Sequence, residues 1–506
     1  MSGLITQERP PPGPARPRRP DRVEAPTPRS SRGLAVVAVL VASLIGWLGA
    51  SAGHKGMVVL VAGLGMVAAT AVSHDRVSLL LGIAVASLGL LVKKSLGPID
   101  TSVASGAPSL FLTAVDVVVV LLYVTWWLEG TLVHDVLSAA RMPVFWLPAA
   151  AAFLFSLSIV VAAKPGLAFD ELARMGWLYL LFVAVALRVR TRRQVWAILM
   201  PLGGLAVFEL LVVVVQWRSS SALGLSIIGT PDQLGQRVLD TGEIARPFGT
   251  LIHPVFLGAV MGVIALMALS IGLHLAPGRR RRLCLAVVPV CIAPMLISHT
   301  RGAFAAFIPA VVGVTIVALA RRRISRRAIV VSAACALVLL VAAWPQLSRL
   351  YHENFATQHF SVEVESRKQL NDVAYAIIRT HPLTGVGLNN FQHVMDPYAP
   401  FGLLFPAFPV HNLYLLQAAE TGYGGLVMLV LVGLGVLAVA VRAGRVHDPL
   451  LAGVGVGVAA MCVFLAIEEL ISYTLREDVS RSLFWMLAGL SVACLRMARR
   501  EGLDVR

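Results

Sequence analysis

Charged residues are scarce in this chain: Asp, Glu, Lys and Arg make up 14% of its 506 residues. Soluble domains carry about 25%, so the shortage argues against a water-soluble protein of two or more domains. Acids are the scarcer sign, 27 against 43 Lys and Arg, for a net charge of +16. Cysteine is rare too, and Cys284, Cys291, Cys335, Cys462 and Cys494 all lie in apolar stretches. No two have metal-ligand spacing and none falls in a polar connection, which excludes a zinc ribbon or a disulfide framework. They read as small buried hydrophobes. A phosphate-binding loop is also missing. Gly385-x-Gly387 lacks the strand and helix that a nucleotide fold would place around it.

Hydrophobic residues are abundant, at 57% with a mean hydropathy of +0.79. They recur in blocks of about 16–25, long enough to cross a hydrocarbon core. Backbone amides find no water in lipid, so such blocks must be helices. The fold class expected is therefore all-α, a polytopic transmembrane bundle. Its helices are placed at 34–51, 56–73, 77–92, 109–128, 143–163, 171–187, 194–217, 251–275, 283–299, 303–320, 328–344, 412–440, 450–467 and 481–497. That is about fourteen, or about twelve if a pair of the short early runs is miscounted.

Arginine supplies the topology. Alternating the helices from a cytoplasmic start puts Arg188/Arg190/Arg192/Arg193, Arg279–Arg282, Arg321–Arg323/Arg326/Arg327 and Arg496/Arg499/Arg500 all on one side. This positive-inside pattern accounts for the basic excess without a nucleic-acid partner. Both termini are then cytoplasmic, in the plasma or inner membrane. Residues 1–33, rich in Pro and Arg, read as a disordered tail rather than a signal peptide. A transmembrane region at 34–245 follows, then a core at 246–440, then helices and a tail at 441–506. Two long outer connections stand out, 218–250 and 345–411. Long structured loops usually have a job, and the second contains a helix-like run from Val364 to Ile378.

Chemistry-bearing side chains collect on that outer side. Arg246 and Arg301 matter because a guanidinium binds phosphate oxygens bidentately and stays charged. The competing reading is that each snorkels to lipid headgroups, but Arg301 sits between Ser298, Thr300 and Gly302 at a tight helix–helix turn. His411 opens a helix and could take a proton near neutral pH; otherwise it caps the helix or bonds a backbone carbonyl. His253, His299 and His381 carry the same ambiguity. Gly385 and Gly387 permit positive φ or close backbone approach. Glu420, Glu209 and Asp116 lie within apolar spans, where an acid is a functional suspect with a partner still to be named.

At these residues the chain resembles the O-antigen ligase and polymerase superfamily. Four segments occur in family order between Arg246 and Glu420. They are Arg246-Pro-Phe-Gly-Thr250-Leu-Ile-His253-Pro254, Ser298-His-Thr-Arg301-Gly302, His381-Pro-Leu-Thr-Gly385-Val-Gly387-Leu-Asn-Asn390-Phe391, and His411-Asn412-Leu-Tyr414-Leu415 through Glu420 and Gly422. The family's Asn after the first Pro is Val255 here, so no role is carried over to that position.

The resemblance implies a GT-C-like membrane glycosyltransferase with an extracytoplasmic active site. The donor would be a glycan on a polyprenyl diphosphate. The acceptor hydroxyl would belong to a second glycan, a lipid or a protein, and polysaccharide-assembly proteins are further partners. No metal and no cofactor are implied. Arg246 and Arg301 would bind the diphosphate and His411 would activate the acceptor. Asn412, Glu420, Ser298, Asn390, Gly385 and Gly387 would shape the substrate site. Two other classes stay open on the sequence: a flippase of lipid-linked sugar and a non-catalytic assembly subunit.

Overall fold

The computed structural model describes residues 65–90 apart from 67 and 71, 93–100, 107–224, 233–239, 242–322, 358–399 and 408–503. The helices in chain order are α1 Arg76–Ala86, α2 Ala114–Leu128, α3 Leu132–Ala139, α4 Pro143–Leu157, α5 Pro165–Arg188 and α6 Arg192–Ser219. They continue with α7 Pro254–His274, α8 Arg279–Ile297, α9 Arg301–Ala320, α10 Gln358–Thr380, α11 Phe391–Val394, α12 Leu413–Gly444, α13 Pro449–Glu468 and α14 Asp478–Arg500. Two short antiparallel hairpins interrupt them. One pairs β1 Lys93–Ser95 with β2 Phe111–Thr113, and the other pairs β3 Gly235–Leu239 with β4 Gly242–Arg246.

Apolar runs make these helices, and local polar residues end them. Thr113 with Asp116 and Thr191 with Gln194 form capping boxes at α2 and α6, each satisfying orphan N–H groups at a helix start. Asp448 caps α13 through the N–H groups of Leu450 and Leu451. Proline occupies the first helical position of α4, α5, α7 and α13, where its missing N–H is harmless.

Among the described residues, seven helices are long and apolar enough to cross a membrane, or eight if the bent pair α2–α3 counts as one span. The expected helices at 34–51 and 328–344, and most of 56–73, fall outside the described residues. α5 runs 24 residues, about 36 Å at 1.5 Å per residue. It is not among those seven, and its polar residues Glu171 and Arg174 are buried rather than exposed to lipid.

Burial separates interior helices from the rim. The apolar windows of α7, α14 and α13 are 89%, 83% and 72% buried, against 28–33% for α4, α6, α9 and α12. A helix apolar on every side and buried on every side is a core element. α7 reaches that position through small residues: a Cβ on Gly258 would lie 2.7 Å from Thr300, and one on Gly262 would lie 2.6 Å from Phe464. Such close approach is how helices associate where no hydrophobic force separates them from lipid.

The expected run Val364–Ile378 lies within α10, which lays Leu370, Val373, Ala374 and Ile377 on a cluster containing Phe256, Leu416, Ala419 and Tyr473. α12 is broken at Gly422, whose φ is 70° and ψ −178°. The segment 382–387 docks into that break. Val386 and Gly387 donate N–H to the carbonyls of Ala419 and Glu420 at 3.0 and 2.9 Å, and Tyr423 donates to Pro382 O at 2.8 Å. A Cβ on Gly422 would lie 2.3 Å from Leu383 O, whereas one on Gly424 would meet nothing within 4 Å.

Two alanine substitutions two residues apart therefore have opposite signs. Gly422→Ala loses about 1–3 kcal/mol to backbone strain before any clash is counted. Gly424→Ala gains roughly 0.5–1 kcal/mol of helix preference. Thermal midpoints of the two purified variants in one detergent check the ordering.

Candidate active site

The starts of α7, α9, α12 and α14 and the ends of α8 and α13 share one end of the bundle. At the other end, Arg192 joins α6 to Asp448 and Glu501. Arg188, Arg190 and Arg279–Arg282 also lie at helix termini there.

Arg246 ends the hairpin β3–β4 and donates from Nε to Ser298 O at 3.2 Å. The residues after it are clamped to α6. Gln216 accepts from the N–H groups of Phe248 and Gly249 and donates to Gly249 O at 2.8 Å. Thr250 donates its N–H, at 2.8 Å, and its hydroxyl to the Glu209 carboxylate. Glu209, an acid without a named partner in the sequence, thus anchors this segment. His253 caps α7, its Nδ1 accepting from Val255 N at 3.2 Å. Burial pushes the His253 imidazolium down to a pKa of about 4, and the neighbouring Arg246 and His411 push the same way. His253 is therefore neutral near pH 7, and the three residues share one electrostatic site.

His411 lies one residue before the cap of α12. Its ring packs 5.2 Å from Tyr473 and 6.2 Å from Phe408. Asn412 is the cap, its Oδ1 accepting from Tyr414 N and Leu415 N at 3.0 and 3.1 Å. Leu413 N donates to the carbonyls of Glu469 and Ser472, tying the start of α12 to the turn between α13 and α14. Ser298 is fully buried, and its hydroxyl donates to Met295 O, as does that of Thr300. Arg301 is the first residue of α9. A Cβ on its neighbour Gly302 would lie 2.7 Å from Ile471, so the same turn closes the ring of segments.

Behind this face lies a second cluster, made of ions. Arg476 donates to Glu420 and, at 3.2 Å, to Glu171. Arg481 contacts Glu171 at 2.6 Å and Asp478 at 3.2 Å. Arg174 joins Asp478 at 2.9 Å to Asp116 at 2.7 Å. Burial alone would lower the Arg476 pKa, but Glu420 and Glu171 more than reverse that. Gly385 and Gly387 serve the docked loop, with φ values of 63° and 105°. A Cβ on Gly385 would lie 2.3 Å from the Glu420 carbonyl carbon, and one on Gly387 would lie 2.5 Å from Ala162. Asn390 is buried, accepting from Lys164 N at 2.7 Å and donating to Leu388 O at 2.9 Å.

Arg246, His253, Ser298 and His411 thus converge, with Arg301 three residues along the chain from Ser298. Glu420, Gly385, Gly387 and Asn390 form the scaffold next to them. Sequence reading missed Tyr473, Glu468, Glu469 and Thr474, and the partners Glu171, Arg174, Arg476 and Arg481. The available signal was the density of charge from Glu468 to Arg481 between two apolar helices. No group of three or more His, Cys, Asp or Glu able to hold a metal occurs among the described residues.

The apolar spans define a multi-pass membrane protein. Residues 285–430 match the family model described as O-antigen ligase, which supports membership of the O-antigen ligase and polymerase superfamily. With it comes support for a membrane enzyme of polysaccharide and cell-envelope assembly. The matched stretch contains Ser298, Arg301, Gly385, Gly387, Asn390, His411, Asn412 and Glu420; Arg246 and the turn after α13 lie outside it. No curated protein gives a significant match.

Two outcomes are expected. Arg476→Leu strands Glu420 and Glu171 in the interior and destabilises the protein by about 3–5 kcal/mol, read as a lost or strongly lowered thermal midpoint. For His253 the unfolded chain takes up a proton below about pH 6.5, while the folded chain resists until about pH 4. Stability therefore falls as pH drops through that window. His253→Asn, which keeps a capping side chain, flattens this part of the curve of midpoint against pH.

Proposed function

We propose that this protein transfers a glycan from a polyprenyl diphosphate donor to an acceptor hydroxyl, as a polymerase or ligase of a cell-envelope or secreted polysaccharide. The observation that carries this reading is the convergence of Arg246, His253 and His411 at one end of the bundle, in a chain whose central stretch matches the O-antigen ligase model. The basic helix ends lie opposite, which under the positive-inside rule supports an extracytoplasmic site.

In this mechanism Arg246 and Arg301 hold the diphosphate and stabilise the charge that grows on it as the bond from sugar C1 to phosphate oxygen breaks. The acceptor oxygen forms the new bond to C1 and its proton passes to His411. The diphosphate leaves with the bonding electron pair. His253, kept neutral by burial and by Arg246, adds no competing positive charge beside His411. Ser298 orients Arg246 through its carbonyl. Asn412 sets the start of the helix behind His411, and Glu420, Gly385, Gly387 and Asn390 keep the docked loop in place.

The test compares glycan pools in a deletion strain, the complemented strain, and strains carrying His411→Ala or Arg301→Ala proteins that express and fold. Transfer should fall on the order of 10²–10⁴-fold for the histidine and 10²–10³-fold for the arginine. Accumulated single lipid-linked repeats mark a polymerase, and long lipid-linked chains that never reach an anchor mark a ligase. Full transfer by folded Arg301→Ala protein sinks the assignment.

A further inference from the structure

The turn that closes the site begins with two adjacent acids, Glu468 and Glu469, each 1% exposed. Both carboxylates reach one hydroxyl. Thr474 Oγ1 is 2.9 Å from Glu468 Oε2 and also contacts Glu469 Oε1. Glu469 Oε1 accepts in addition the N–H of Leu475 at 2.8 Å. A threonine hydroxyl has one proton to donate, and an ionised carboxylate can only accept. With both acids ionised, one of these contacts is oxygen against oxygen with no hydrogen between. Two anions would also face each other away from water, which is costly.

One proton repairs both defects. Thr474 then donates to whichever acid is ionised and accepts from the protonated one, while Glu469 Oε1 also accepts from Leu475. Burial, and then the neighbouring Glu468, hold the Glu469 carboxyl well above the usual range, in line with a pair that cannot ionise fully.

We propose that the Glu468/Glu469 pair holds one proton at neutral pH, and that the Glu468–Thr474–Glu469 bridge it completes is a positioning device for His411. The turn spanned by this bridge does three things. Its Glu469 and Ser472 carbonyls accept from Leu413 N, two residues after His411. Its Tyr473 packs on the His411 ring. Its Ile471 carbonyl accepts from Arg367 of α10 at 2.9 Å. The charged and titratable groups that face the pair are Arg367 of α10, beside Glu468, and Tyr414 of α12, beside Glu469, with Arg481 of α14 lining the same cavity as Glu469. Losing the proton to solvent base leaves two buried anions, loosens the turn and releases the His411 ring. The positioning half of this proposal rests on the reading of His411 as the proton acceptor; the protonated pair does not.

The test uses full-length protein and its Glu468→Gln variant, whose amide supplies permanently the hydrogen that Thr474 Oγ1 accepts. Infrared difference spectra between them at neutral pH should show one protonated-carboxyl stretch in the wild type. Because the folded state holds this proton above the ordinary glutamate range of about 4.3, wild-type stability falls as pH rises from there. The thermal midpoint of Glu468→Gln should fall less over the same range. Wild-type transfer from a polyprenyl diphosphate glycan should lose about tenfold per pH unit on an alkaline limb. The variant, active at neutral pH, should lack that limb.

A difference spectrum without the carboxyl stretch, with parallel midpoint curves, overturns the proposal whatever the activity. Coincident pH–activity profiles overturn its positioning half. If the stretch and the diverging midpoints are present but wild-type protein transfers nothing, the bridge stands and the transfer reading fails.

Discussion

Seven paired charges, six of them buried, organise this structure. Glu420, Arg476, Glu171, Arg481, Asp478, Arg174 and Asp116 alternate in sign along one connected chain of contacts. In a low-dielectric interior an isolated member would be expensive, and only close pairing with further hydrogen bonds makes the group tolerable. The array draws its members from α2, α5, α12, α14 and the turn before α14. These elements must therefore meet in one arrangement, and any slip along a helix axis would strand a charge. That requirement specifies the arrangement more strongly than apolar packing does, because lipid and protein interior are equally good solvents for Leu and Val.

The break in α12 follows from the same place. Glu420 points its side chain into the array, while its carbonyl and that of Ala419 turn to the docked loop. Positive φ at Gly422, Gly385 and Gly387 lets two backbones approach where any Cβ would collide. The loop is thereby held against the bundle by main-chain hydrogen bonds, and α10 covers Phe256 and Tyr473 from above. The candidate residues lie beside this block: His411 against Tyr473 of the turn, His253 and Arg246 on the segment that Gln216 and Glu209 clamp. Rigid support behind partly exposed polar groups is what a site needs if it is to meet charge developing on a bound substrate.

Much of this was legible from one-dimensional pattern. Apolar blocks marked α4, α6, α7, α9, α12 and α13 to within a few residues, because in lipid a long apolar run has no alternative to helix. The order of the Arg246, Ser298, His381 and His411 segments pointed to the family. Asn412 and Gly385, singled out beside a substrate, have structural explanations as a helix cap and as a docking point for the Glu420 carbonyl. The partner of Glu420 was not legible at all. Arg476 lies 56 residues away, across two helices whose apolar sequences are silent about which of their faces meet.

By itself, then, the sequence determined the class of protein, the helical runs, which ends of them are basic, and which short segments bear chemistry. These depend on local composition and on spacing along the chain. Only the tertiary structure decided which acid meets which arginine, that Thr474 stands between two glutamates, and that Tyr473 lies on His411. The ion pairs join residues on separate elements, and apolar periodicity carries no information about how one buried helix is rotated against another; the Thr474 bridge is local, but the fold of its turn is set by the helices that the turn joins.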